Sequence, residues 1–160
     1  MSRESGSGER VHPLEGERAV DAADRSAREL DRFFALSRDM LCIAGLDGYF
    51  KRVNPAFEAT LGYTAEELLS RPFLEFVHPD DRSATQVEME IQAGGAPTLH
   101  FENRYRCKDG GYRWLSWRSS SPESEEQLVY AVARDVTSQK RFEQELREAK
   151  EAAEDRKSVV

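Results

Sequence analysis

The sequence is poor in cysteine, in histidine and in long apolar runs. Its 160 residues include two cysteines, Cys42 and Cys107. Two thiols are too few for a disulfide scaffold, and they lack the paired spacing of a metal site. The three histidines, His12, His78 and His100, are scattered, and none forms a triad or metal cluster with Ser or Cys. No apolar run approaches the ~18 residues of a bilayer span. The longest, Met40-Leu41-Cys42-Ile43-Ala44, has the length of a strand. The polar start, Met1 to Gly6, has no apolar signal region. No Gly-rich phosphate loop and no repeat at a period of ~20–50 residues is present. These absences predict a cytoplasmic, thiol-reduced chain with no catalytic site, no metal and no membrane span.

What is present is mostly charge. Charged residues make up 33% and hydrophobic residues 39%, which fits one modest core with polar extensions better than two cores. The net charge is −7, and six of those seven negative charges fall within residues 39–137. An acidic body repels a phosphate backbone, so nucleic acid is not an expected partner. The two ends are dense in charge but balanced, as solvated helices are.

Residues 1–16 are rich in Ser, Gly, Glu and Arg and read as a disordered leader. Residues 17–38 take a helical period. Val20, Ala23, Ala27, Leu30 and Phe34 are spaced 3, 4, 3, 4, the seam of a coiled coil. The body, 39–137, begins with two short strand-like runs about Leu46-Asp47-Gly48, a hairpin signal. Asn54-Pro55 is expected to cap and open a short helix that Gly62 ends. Thr64-Ala65-Glu66-Glu67 is a capping box for a second. Pro79-Asp80-Asp81 reads as the acidic first turn of a longer helix with Ala84, Val87 and Ile91 on its inner face. Three longer strands follow. In Thr98–Cys107, residues Phe101, Asn103, Tyr105 and Cys107 share one face. Thr137 is positioned to cap a terminal helix over 138–160. Helices set between antiparallel strands predict an α+β fold with helices on one face of a single sheet.

Five segments in order resemble a PAS domain. They are Asp47-Gly48 with Val53-Asn54-Pro55-Ala56-Phe57, then Leu61 to Leu68, then Val77-His78-Pro79-Asp80-Asp81-Arg82, then Arg104 to Gly110, and last Arg134-Asp135-Val136-Thr137. The resemblance implies a five-stranded antiparallel sheet in the order 2-1-5-4-3, with short helices cupping one face. It also implies a sensor or signal-relay role in bacterial histidine kinases or related two-component regulators, with 39–137 as the PAS core. Nothing here resembles a phospho-acceptor helix or an ATP-binding box. Flavin-binding relatives carry a cysteine where this chain reads Ser70-Arg71-Pro72-Phe73-Leu74-Glu75, so a photoadduct has no nucleophile. Haem-binding relatives place a histidine on the longer helix, and residues 82–93 contain none. Flavin and haem are therefore not expected, while an unknown small ligand stays open.

Phe57, Tyr63, Phe73, Phe76, Val87, Ile91, Phe101, Asn103, Tyr105 and Leu115 are the candidates to line such a cup. They can equally fill a solid core. Asn103 is the most informative, because a buried amide needs partners. Asp135 and Thr137 are the candidate relay between last strand and last helix, with Arg104, Arg113 or Arg118 as the partner of Asp135. Gln139, Phe142, Leu146, Ala149 and Ala153 continue a heptad seam, so both flanking helices are expected to pair in a homodimer. The last helix has no stop signal, which suggests continuation into an effector such as a kinase. The alternative reading is a structural dimerisation or adaptor module with a filled core and no ligand.

Overall fold

A computed structural model describes residues 13–123 and 125–159. The chain divides into two compact units, Met1–Phe34 and Ala35–Val160. The first helix, α1, runs Pro13–Leu36. It therefore starts inside the segment read as a leader; residues 1–12 of that segment lie outside the described residues.

In the second unit the strands are β1 (Met40–Gly45), β2 (Phe50–Val53), β3 (Thr98–Arg106), β4 (Tyr112–Ser119) and β5 (Leu128–Asp135). They form one sheet in the order β2-β1-β5-β4-β3, and every neighbouring pair is antiparallel. This is the order the resemblance implies. Between β2 and β3 come α2 (Pro55–Leu61), α3 (Ala65–Leu69), two 3-10 turns (Phe73–Phe76 and Pro79–Asp81) and α4 (Arg82–Ala93). The last helix, α5, is Thr137–Ser158. Alternation along the strands sends Met40, Cys42, Tyr105, Leu115, Trp117 and Ala133 into the core, where they meet Phe57, Leu61, Leu68 and Phe76 from the helical side.

Local chemistry explains the turns. Gly48 sits at φ 86°, a left-handed conformation in which a side chain is strained, and its N–H closes the β1–β2 turn on the Gly45 carbonyl at 3.1 Å. Gly62, at φ 85°, ends α2 by donating to the Glu58 carbonyl at 2.8 Å. The Thr64 hydroxyl accepts from Glu67 N–H at 3.1 Å, one half of the expected capping box. The Glu67 carboxylate also pairs with Lys108 Nζ at 2.7 Å. The lysine holds the Glu67 carboxyl below its ordinary pKa.

Asn54 departs from expectation. It precedes α2, but its side chain makes no capping bond. It is buried, and its amide joins the start of β1 instead. Oδ1 accepts from Leu41 N–H at 2.9 Å, and Nδ2 donates to the Asp39 carbonyl at 2.9 Å. Asn54→Ala therefore orphans two backbone groups. It should cost about 1–3 kcal/mol in urea denaturation. A loss below about 0.5 kcal/mol would show that these groups find other partners.

Candidate functional site

The helical side and the sheet form a partly open cavity of about 80 Å³. Of the residues expected there, Phe73, Phe101, Asn103 and Tyr105 line it. Phe57, Tyr63, Phe76 and Leu115 are buried in the core without lining it. Val87 and Ile91 lie elsewhere: they are 54% and 48% exposed. The face of α4 on the cavity is Thr85, Glu88, Met89 and Gln92, a stripe at helical spacing that is mostly polar. A search for apolar periodicity selects the opposite face.

Hydrogen bonds explain this rotation. Asn103 Nδ2 donates to Thr85 Oγ1 at 3.1 Å, and Trp117 Nε1 donates to Asn103 Oδ1 at 2.7 Å. The buried amide thus finds its partners within the protein. Further along, Thr98 Oγ1 donates to Glu88 Oε1 at 2.7 Å, and Gln92 Nε2 donates to Thr98 Oγ1 at 2.8 Å and to Ser119 Oγ. At the start of the helix, Asp81 accepts from Arg104 three times: from backbone N–H at 2.8 Å, Nε at 2.8 Å and Nη2 at 2.7 Å. The guanidinium beside it holds the Asp81 carboxyl below the usual range. Asp81 thus clamps the end of α4 to β3, and the Thr85–Asn103 bond fixes its azimuth. Turning Val87 and Ile91 inward would break both.

The outer side of the sheet carries a second cluster. The Trp114 ring has Arg104 Cζ 5.1 Å and Lys140 Nζ 5.2 Å from its centroid. Lys140, in the first turns of α5, also pairs with Glu102 of β3 at 2.8 Å. Beside them the last strand becomes the last helix. Val136 N–H donates to the Trp114 carbonyl at 2.8 Å, and Trp114 N–H donates to Thr137 Oγ1 at 2.9 Å. Asp135 Oδ1 accepts from Thr137 N–H at 2.9 Å and from its hydroxyl. Thr137 is therefore not the cap of α5. The Asp135 carboxylate takes the free N–H of the first turn, and Thr137 ties that turn to β4. The arginine that pairs with Asp135 is Arg113, at 3.3 Å; Arg104 is engaged by Asp81.

The remaining candidates are His78, His100, Cys42 and Cys107. His78 Nδ1 accepts from Asp80 N–H at 3.0 Å and its ring packs on Tyr112 at 4.6 Å, so it serves the 3-10 turn. His100 is exposed. Cys42 and Cys107 are buried free thiols whose pKa values burial pushes up. Among the described residues no group of three or more His, Cys, Asp or Glu could hold a metal ion. Among them, too, no helix is long and apolar enough to cross a membrane.

A cup over one sheet face, with a helix tied to the strand behind it, now has its counterparts. The model of the PAS fold family matches residues 50–134. The chain belongs to the PAS fold family. Over 98 residues, 58% of this chain, it is 30% identical to the sensor histidine kinase TmoS of Ectopseudomonas mendocina. It spans about a tenth of the length of that relative, 10%. The PAS domain of an HTR-like protein from Haloarcula marismortui superposes with a TM-score of 0.62 at 26% identity, covering 74% of this chain and 98% of that one. A sensory box histidine kinase/response regulator from Burkholderia thailandensis gives 0.62 at 25% identity, covering 78% and 97%.

Two substitutions test the placement of α4 in this PAS domain. Thr85→Val leaves the buried Asn103 amide short of an acceptor and should cost about 1–3 kcal/mol. Val87→Ala should stay within about 0.5 kcal/mol, as exposed positions do. Equal costs would contradict the rotation. Asp81→Asn tests the clamp through pH. A carboxyl whose folded pKa is depressed stabilises the fold above its unfolded pKa of about 3.9 and ceases to as pH falls through the folded value. The wild type should therefore exceed Asp81→Asn by about 1.5–3 kcal/mol at neutral pH. That advantage should shrink below about pH 4 in thermal melts.

Proposed function

We propose that this PAS domain is a non-catalytic signal-sensing module of two-component-type signalling, which relays the state of its cup to α5. One observation carries the reading. On β4, Leu115, Trp117 and Ser119 point to the core and cup, while the backbone of Trp114 in the same strand holds the first turn of α5. A change in the cup that shifts β4 is passed to the anchor of the helix. The stimulus then acts by favouring one of two helix arrangements, in proportion to its differential affinity for them. Asp135 and Thr137 form the hinge. Matches to sensor histidine kinases support a kinase as the downstream partner.

The same reading includes a homodimer in the cytoplasm. Leu30 and Phe142 are 69% and 67% exposed, and Val20, Ala23, Ala27, Leu146 and Ala149 are exposed along the same seams. Phe34 is half-buried. Full burial of Leu30, Phe34, Phe142 and Leu146 in two copies would yield at most about 12–24 kcal/mol. Association costs on the order of 4–15 kcal/mol before the helices order. The dimer should therefore be reversible.

Two experiments test this. In sedimentation, the average mass should rise from monomer toward dimer with concentration, and Phe142→Ser with Leu146→Ser should hold it at monomer. A wild-type chain that stays monomeric at high concentration would remove the dimer. With α5 joined in helical register to a histidine kinase, Asp135→Ala should leave kinase activity present but uncoupled from the stimulus. Normal regulation in that variant would remove the hinge.

A further inference from the structure

The polar end of the cup carries a carboxylate with no cationic side chain beside it in the lining among the described residues. Glu88 lines the cavity, and no lysine, arginine or histidine among the described residues does. Its Oε1 accepts from Thr98, while its Oε2 takes no hydrogen bond among the described residues. Three neighbouring donors are already committed. Gln92 gives its Nε2 hydrogens to Thr98 and Ser119, and Thr85 gives its hydroxyl to the Asp81 carbonyl at 2.7 Å. Trp117 gives its indole N–H to Asn103. Gln92 keeps its carbonyl oxygen as a further acceptor. The rest of the lining is largely apolar and includes the rings of Phe50, Phe73, Phe101 and Trp117, with Phe50 and Phe73 centroids 5.4 Å apart.

A carboxylate beside aromatic rings favours a cation twice over. The charge attracts it directly, and the ring faces attract it through their quadrupoles. The same carboxylate repels an anionic ligand. The cavity is small, about 80 Å³, and partly open, so a short alkyl chain suits it and can extend beyond its mouth. We propose that the cup binds a small alkylammonium ion, its N–H groups on Glu88 Oε2 and the Gln92 carbonyl and its alkyl body among the rings. This deepens the sensing role and rests on it.

Butylamine, butan-1-ol and butyrate share a chain and differ in charge at neutral pH. Each is titrated into the ¹⁵N-labelled chain while the Trp117 indole resonance is followed. Butylammonium should bind at least ~10-fold more tightly than butanol, as a charge-assisted hydrogen bond implies, and butyrate should not bind. Glu88→Gln keeps the acceptor for Thr98 and removes the charge. It should erase the preference for the amine and leave butanol binding unchanged, with a folded spectrum as control. Butanol or butyrate binding as well as butylamine, or a preference that survives Glu88→Gln, overturns the cation specificity and leaves the cup as a ligand site. If none of the three moves the indole resonance, the small-ligand reading of the cup falls as well.

Discussion

The peptide unit of Trp114 holds the start of α5 against the sheet. Its carbonyl accepts from Val136 and its N–H donates to Thr137, so the first turn of α5 cannot leave β5 in an arbitrary direction. Asp135 completes the joint from the strand side and Arg113 holds Asp135. The energies are ordinary, about 0.5–1.5 kcal/mol for a neutral hydrogen bond and about 1.5–3 for a charge-assisted one. What matters is that they converge on one strand. β4 lies between β3, which carries the clamp to α4, and β5, which leads into α5. Its inner side chains meet the cup and its backbone meets the helix.

The clamp and the cup form one continuous structure. Asp81 pins the start of α4 to Arg104, the Arg104 guanidinium lies over Trp114, and Lys140 of α5 lies within reach of the same ring. A shift of α4 thus has two ways to reach α5. One runs through Asn103 and Trp117 inside the sheet, and the other through Arg104 and Trp114 outside it. Both are chains of direct contact, and a stimulus would use them only through its differential affinity for two arrangements.

Much of the fold was legible because its signals are local. Alternation in Thr98–Cys107, the turn at Gly48, the αL stop at Gly62 and the ordered PAS-like segments each act over a few residues, and the strand order followed from the resemblance. The site was less legible. The helix 82–93 has two competing stripes, and hydrophobicity selected Val87 and Ile91. The stripe that packs is polar, and its partners Asn103, Thr98 and Ser119 come from strands β3 and β4 beyond the helix. Periodicity registers apolar faces and is silent about a polar face satisfied at long range. The same limit applies to Asn54 and Thr137. Their positions say cap, and their side chains serve neighbouring strands. Thr64, whose partner lies three residues away, did what its position said.

The central claim is that the inside of the cup and the start of α5 are mechanically joined through β4. Site-resolved amide hydrogen exchange on the wild type and on Ser119→Val tests it most directly, because Ser119 accepts from Gln92 at the cup and makes no hydrogen bond to α5 among the described residues. The account predicts altered exchange at Val136 and in the first turn of α5, together with changes along β4. Exchange that changes around Ser119 and Gln92 alone, with Val136 and α5 as in the wild type, would contradict it.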